Sequence, residues 1–293
     1  MTVGTTAISG AGSMRGGDIA TSPARRLGSA DAAIFETYVV PRYLSFFAQQ
    51  MLRMFVPGRD ARVCHVQCRT GYPDRALLEK LPNAHVYGCD NSEHAIELAR
   101  AKAQTLPGFI ADYRVIDGIT LPFPAGAFSH AFTLHPHVAP AERRRLLEEL
   151  ARITAPRGQA LVAMPLRGSF GELADLIREC ALRHEQSDLT NAVEAAVQLR
   201  PTDDLFAREL EAVGFEHVEV DAAPRTLRFE SGRDFFEDPV ARLVLLPEFR
   251  STLRIDDVAA PFAYVRNAID KYWSDGAFEL TVNVGVASGR RKA

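Results

Sequence analysis

The chain has 293 residues, with 34 basic and 37 acidic side chains and a formal net charge of −3. That balance gives no bulk attraction to nucleic acid or to an anionic membrane, and no run approaches the ~20 apolar residues of a membrane span. Hydrophobic residues make up 47% of the chain, enough for the core of one large α/β domain.

The first thirty residues are rich in Gly, Ser, Thr and Ala and lack the apolar stretch of a secretory signal. They are expected to form a disordered tail, with a single domain over 31–293. Leu44, Phe47, Met51, Leu52 and Phe55 then recur at helical spacing after Pro41. From there strands and helices alternate. "RVCHV" reads as a first strand and "DRALLEKL" as a helix. "HVYGCD" is a second strand, followed by "SEHAIELARAKA", a helix with Ser92 as its N-cap. "ADYRVID" and "HAFTLH" are the third and fourth strands. "AERRRLLEELARIT" is an amphipathic helix stopped by "APRGQ", and "ALVAMPL" is the fifth strand. Such alternation implies a parallel sheet covered on both faces, with ligands at the carboxyl ends of its strands.

Beyond residue 170 the helices "GSFGELADLIRECALRHE" and "TDDLFARELEAVGF" lead to "EHVEVDAAPRTLRF", a strand expected to break at Pro224. A helical insertion or lid over about 232–275 separates it from the last strand, about 277–288. The core is expected over about 58–170 and 200–230. The four cysteines, Cys64, Cys68, Cys89 and Cys180, lie mostly in or beside apolar runs, which suits reduced thiols and a cytoplasmic protein.

From about residue 35 onward, the order of these signals resembles the class I S-adenosylmethionine (SAM) dependent methyltransferases of the type-11-like kind. Four segments carry the resemblance: "HVQCRTG", "YGCDNSEHAIELAR", "DGITLPFPAGAF" and "LHPHVAPAERRRLLEELARITAPRGQALVAMP". It implies a seven-stranded Rossmann-like sheet with helices on both faces and a final antiparallel pair. It also implies roles. Asp90 would accept the ribose hydroxyls, Asp117 would meet the adenine amino group, and Gly71 would let the loop backbone approach SAM. Each acid has a purely structural alternative. Asp90 with Ser92 can cap the next helix, and Asp117 can serve a turn before Gly118.

The methionine half of the site departs from the family pattern. Where the family has an acid and three glycines, this chain has His65, Gln67, Arg69 and Gly71. Glycine tolerates positive φ and leaves the ligand's space empty. A non-glycine at positive φ costs about 1–2 kcal/mol unless the turn is remodelled. SAM carries a sulfonium and an ammonium. An Arg69 guanidinium ~4 Å from either would oppose it by about 4 kcal/mol at an effective dielectric of 20. Arg69 could also pair with the SAM carboxylate or swing into solvent. An anion at the helix N-terminus is a third option, though the glycines of a phosphate cradle are missing.

His135 and His137 sit near the expected acceptor mouth. In an active enzyme either could serve as general base; otherwise they hold the loop. Cys64, His65, Cys68, His135 and His137 lack metal-site spacing, so no metal is expected. Phe262, Tyr264, Tyr272 and Trp273 in the insertion suit either core packing or contact with a protein partner.

Two functions are therefore carried forward. The first is a pseudo-methyltransferase without cofactor, acting as a binding or protein-interaction module through its helical insertion. The alternative is an active SAM-dependent methyltransferase with a small-molecule acceptor.

Overall fold

The structure, a computed structural model, describes residues 26–138, 142–255 and 257–293. Of the expected tail, residues 1–25 lie outside the described residues. Leu27 is buried and the first helix begins at Ser29, so the packed chain starts before residue 31.

One continuous helical stretch opens the domain. It comprises α1 (Ser29–Ile34), a π-helical segment (Phe35–Leu44) and α2 (Ser45–Met54). Pro41 lies inside this stretch rather than at its start. A proline removes one ladder bond, and the wider π turn accommodates the loss. Val39, Tyr43, Phe47 and Met51 are fully buried along one face.

Seven strands form one sheet in the order β3-β2-β1-β4-β5-β7-β6. These are β1 (Arg62–Val66), β2 (His85–Asp90), β3 (Ile110–Val115), β4 (Phe128–Leu134), β5 (Thr154–Pro165), β6 (Phe215–Phe229) and β7 (Phe278–Arg291). The pairs among β1 to β5 are parallel. β7 runs antiparallel between β5 and β6. β1 is almost wholly buried because helices cover both faces of the sheet, which is why it reads as an apolar run. Val63 and Cys64 accordingly belong to apolar clusters on opposite sides of the sheet.

The chain order reverses between β1 and β4, which leaves a crevice at the carboxyl ends of the strands. α3 (Asp74–Lys80), α4 (Glu93–Gln104) and α5 (Arg143–Ile153) follow β1, β2 and β4. Ser92 caps α4 as expected, its hydroxyl accepting from Ala95 N at 3.2 Å. α5 turns Leu146, Leu147, Leu150 and Ile153 onto the sheet. The "APRG" segment does not merely stop α5. It forms the start of β5, with Arg157 at a φ of 62° and a register shift against β4.

β6 runs unbroken through Pro224, which pairs in register with Asn283. The expected break is absent because β6 is an edge strand, where a missing N–H costs no ladder bond. α6 (Gly171–Arg183), α7 (Ser187–Gln198) and α8 (Asp203–Ala212) lie between β5 and β6. α7 had no counterpart in the expected elements. The insertion comprises α9 (Gly232–Glu237), α10 (Leu246–Leu253) and α11 (Ala259–Tyr272). Its Phe249, Val265 and Ile269, with Leu245 of the π-helical segment Ala241–Leu245, share one apolar cluster with β7 and α6.

Gly88 on β2 shows how tightly the site's floor is packed: a Cβ there would overlap the Tyr113 ring of β3. Gly88→Ala is therefore expected to destabilise the domain by about 1–3 kcal/mol, the usual range for overpacking. An unchanged urea midpoint would contradict this packing.

Candidate functional site

Four loops meet at the crevice. The loop after β1 keeps the backbone path of a glycine turn without the glycines: φ is 54° at Gln67, 49° at Arg69 and 75° at Gly71. The turn has not been remodelled. Two non-glycine residues at positive φ cost about 1–2 kcal/mol each. Surrounding hydrogen bonds hold them there. Cys68 N donates to Cys89 O at 3.0 Å, and Gly71 N donates to Cys68 O at 2.8 Å. Lys102 Nζ donates to Thr70 O at 2.9 Å. The Gln67 side chain reaches across to the loop after β4, where its Oε1 accepts from His137 N at 2.6 Å.

Arg69 turns inward. Its side chain is 8% exposed, and its Nη1 lies 3.7 Å from Asp90 Oδ1. Arg69 N also donates to Asp90 Oδ2 at 3.0 Å. Asp90 Oδ1 meanwhile accepts from Ser92 N at 3.0 Å. Both oxygens of the expected ribose acceptor are thus engaged within the protein. The helix-entry role of Asp90 is realised in the same geometry. Pairing with Asp90 also offsets the Arg69 charge.

A cleft of about 180 Å³ opens beside this loop. Its lining includes Gln67, Arg69, Asp90, Asp117, Ile119 and Leu146. Ile119 and Leu146 belong to the apolar cluster on that face and could flank a flat base. Asp117 stands on the rim, 79% exposed at its side chain, in an ion pair with Arg26. Gly71 does not line the cleft. A Cβ on it would press on Asp74 Oδ2, 2.6 Å away, so its freedom serves packing beneath the loop.

His65, the replacement for the family's acid, is buried and stacks on Phe132 with ring centroids 4.1 Å apart. Its Nδ1 lies 3.8 Å from Asp74 Oδ1. Asp74 also accepts a hydrogen bond from Tyr113. A carboxylate thus remains under the loop, supplied from α3 instead of β1. Burial, with Asp74 beside it, pushes the Tyr113 hydroxyl pKa up.

The two histidines sit differently: His135 is turned into the core, whereas His137 lines the cleft. His135 is buried, its Nε2 paired with Tyr43 OH at 2.8 Å. Burial pushes its pKa down to about 4 and lowers that of His137 as well. His135 packs edge-on against Tyr43 and Phe47, which fits the loop-holding role. Behind it, Arg200 pairs with Glu248 of α10 at 2.6 Å and lies over Phe170 at 4.8 Å. Tyr43, Asp74, Arg200 and Glu248 were missed in the sequence because their partners lie far along the chain. Among the described residues no group of metal-ligating side chains gathers, and all four cysteines are buried and unlinked.

Of the insertion's aromatics, Phe262 is buried beside Phe236, and Trp273 meets Phe278 at 5.0 Å. Tyr264 is half-buried. Tyr272 is 44% exposed, its hydroxyl donating to Glu179 at 2.5 Å. No helix of the described residues is long and apolar enough to cross a membrane.

Comparison with known proteins agrees with this architecture. Residues 63–158 match a family described as a methyltransferase domain. Demethylmenaquinone methyltransferase of Thermus thermophilus is 35% identical over 107 residues, which are 35% of this chain and 48% of that protein. The chain spans about half the length of the curated relatives it matches. Among solved structures, YcgJ of Bacillus subtilis has a TM-score of 0.56 at 12% identity, with 85% of this chain and 99% of that one covered. Phosphoethanolamine N-methyltransferase 2 of Haemonchus contortus, solved with SAM, has a TM-score of 0.53 at 15% identity, with 90% of this chain and 56% of that one covered. The sheet therefore has the methyltransferase-type fold, and residues 63–158 resemble a methyltransferase domain.

Burial of neutral His135 makes stability depend on pH. Its pKa falls from 6.5 in the unfolded chain to about 4 in the fold. The unfolded state therefore binds the extra proton first. Stability is fully present above pH ~6.5 and is lost as pH falls toward ~4, by roughly 3 kcal/mol from this group. Urea midpoints at pH 7 and pH 5 are expected to differ less in His135→Asn than in the native chain. Equal differences would show that His135 is not buried neutral.

Proposed function

We propose that this chain is a pseudo-methyltransferase, a binding or protein-interaction module that keeps the methyltransferase scaffold without effective use of SAM. The observation that carries this reading is the engagement of Asp90 by Arg69. The carboxylate that would receive the ribose already accepts two main-chain N–H groups and lies against a guanidinium. Gln67 adds side-chain volume where the family has none, and its bond to His137 N ties the loops after β1 and β4 together. SAM would have to displace both side chains from a tightly packed turn. The exposed face of Tyr272 at the end of α11 offers one contact point for a partner.

A second reading has its own support. Asp74 keeps a buried carboxylate beneath the loop, one of whose oxygens has no hydrogen-bond partner. The relatives named above are methyltransferases. If Arg69 swings outward, Asp90, Asp117 and the cleft would be available to SAM, and the chain would act as a methyltransferase on a small molecule. Such an enzyme would rely on positioning for in-line transfer, since His135 is shielded and held by Tyr43.

Calorimetry with SAM and S-adenosylhomocysteine separates the two. The native chain is expected to give no micromolar affinity. Gln67→Gly combined with Arg69→Gly is expected to improve affinity by about ten- to a hundredfold, or ~1.4–2.8 kcal/mol. Micromolar SAM binding by the native chain, or methyl transfer to any acceptor, would overturn the first reading.

A further inference from the structure

The amino end of the sheet, opposite the cleft, gathers arginines. Arg62 opens β1, and its carbonyl accepts from Ser129 Oγ of β4 at 3.1 Å. Arg157 stands beside that strand, since a Cβ on the next residue, Gly158, would lie 2.9 Å from Ser129 O. Arg290, near the end of β7, donates through Nη1 to Arg157 O at 3.3 Å. Arg59 flanks the row, one residue after Gly58, whose Cβ position lies 3.7 Å from the His130 ring. None of these four side chains has an ion pair with a described residue. The acids nearest in sequence and register are Asp60 and Glu216, the latter opposite Arg290. A local excess of positive charge thus stands on a chain whose net charge is −3.

Two of the arginines are held in unusual ways. Arg157 is exposed at a φ of 62°, a conformation that favours glycine. Glycine would make this turn without strain, yet the position carries a guanidinium with no hydrogen bond to a described residue. Strained non-glycine residues cluster at functional surfaces. Arg62 lies over the Tyr87 ring at 5.1 Å and the Phe128 ring at 5.9 Å. Stacking holds the guanidinium in place and leaves its edge donors for a planar anion, which a carboxylate meets in bidentate fashion.

The row crosses from β1 through β4 and β5 to β7, three strand spacings or about 15 Å. An extended peptide covers that distance in about four to five residues. Nucleic acid fits less well. The exposed aromatic residues, Tyr38 and Tyr272, lie on helices away from this row, and Tyr87 and Phe128 sit beneath Arg62, so no ring is presented for a base.

We propose that the amino end of the sheet docks an acidic peptide segment of a protein partner, whose carboxylates pair with Arg62, Arg157 and Arg290, with Arg59 at the rim. This surface is separate from the Gln67–Arg69 loop, and the proposal stands whether or not SAM binds.

Fluorescence anisotropy of the full chain with a labelled oligoglutamate peptide tests it. The native chain is expected to bind at low ionic strength and to lose affinity as salt is raised. Arg157→Gly and Arg290→Gln are each expected to weaken binding by about threefold to fivefold. Glycine suits the φ of 62°, so Arg157→Gly is expected to keep the urea midpoint and its loss reads the guanidinium alone. Arg145→Gln, exposed at the start of α5 and so at the other end of the sheet, is expected to bind as the native chain does. No binding at low salt overturns the proposal. So does affinity that ignores both Arg157→Gly and Arg290→Gln, or an equal loss in Arg145→Gln. Tighter binding of an oligothymidine of the same length would assign the face to nucleic acid and overturn it as well.

Discussion

The contact between Arg69 and Asp90 sets the chemistry of this site. It forms because a turn built for glycine has kept its backbone path while gaining side chains. At a φ of 49° the Arg69 side chain is directed into the protein, where it meets Asp90 at the end of β2. The pair then accounts for the rest. It places a guanidinium against the carboxylate at the end of β2, it offsets the Arg69 charge, and both side chains line the cleft beside the loop. The backbone strain, about 1–2 kcal/mol at each of two residues, is held by the packing and hydrogen bonds of β1, β2 and α4.

The scaffold around this contact is that of a methyltransferase, and its residues follow the layout of the sheet. The crevice lies where the strand order reverses between β1 and β4, so the loops after β1, β2, β3 and β4 reach it. Fold alone does not supply an activity. What the site can do depends on the side chains those loops present. His135 belongs to a buried polar chain with Tyr43, close to the Arg200–Glu248 pair. That cluster binds α10 to the body of the domain.

Much of this was legible in the sequence because local patterns carry it. The alternation of apolar runs and amphipathic helices gives the parallel core, Ser92 marks the start of α4, and the altered loop is visible in "HVQCRTG" alone. The misreadings have physical reasons. Pro224 suggests a break only if the strand is central, and edge position is a property of topology. Pro41 suggests a helix start, but a π-helical turn absorbs it. The "APRG" segment joins β5 because β4 lies alongside it. Asp117 and Arg26, Asp74 and Tyr113, and Arg200 and Glu248 are pairs of distant residues, which no local spacing reveals. The loop's residues alone did not settle whether Arg69 would point inward, toward ligand or into solvent.

A crystal structure grown with saturating SAM tests the central contact most directly. The account predicts that the Arg69 guanidinium stays beside Asp90 and that no ligand density fills the methionine half of the site. Density for SAM seated against an unmodified Gln67–Arg69 turn, with Arg69 swung away from Asp90, would contradict it.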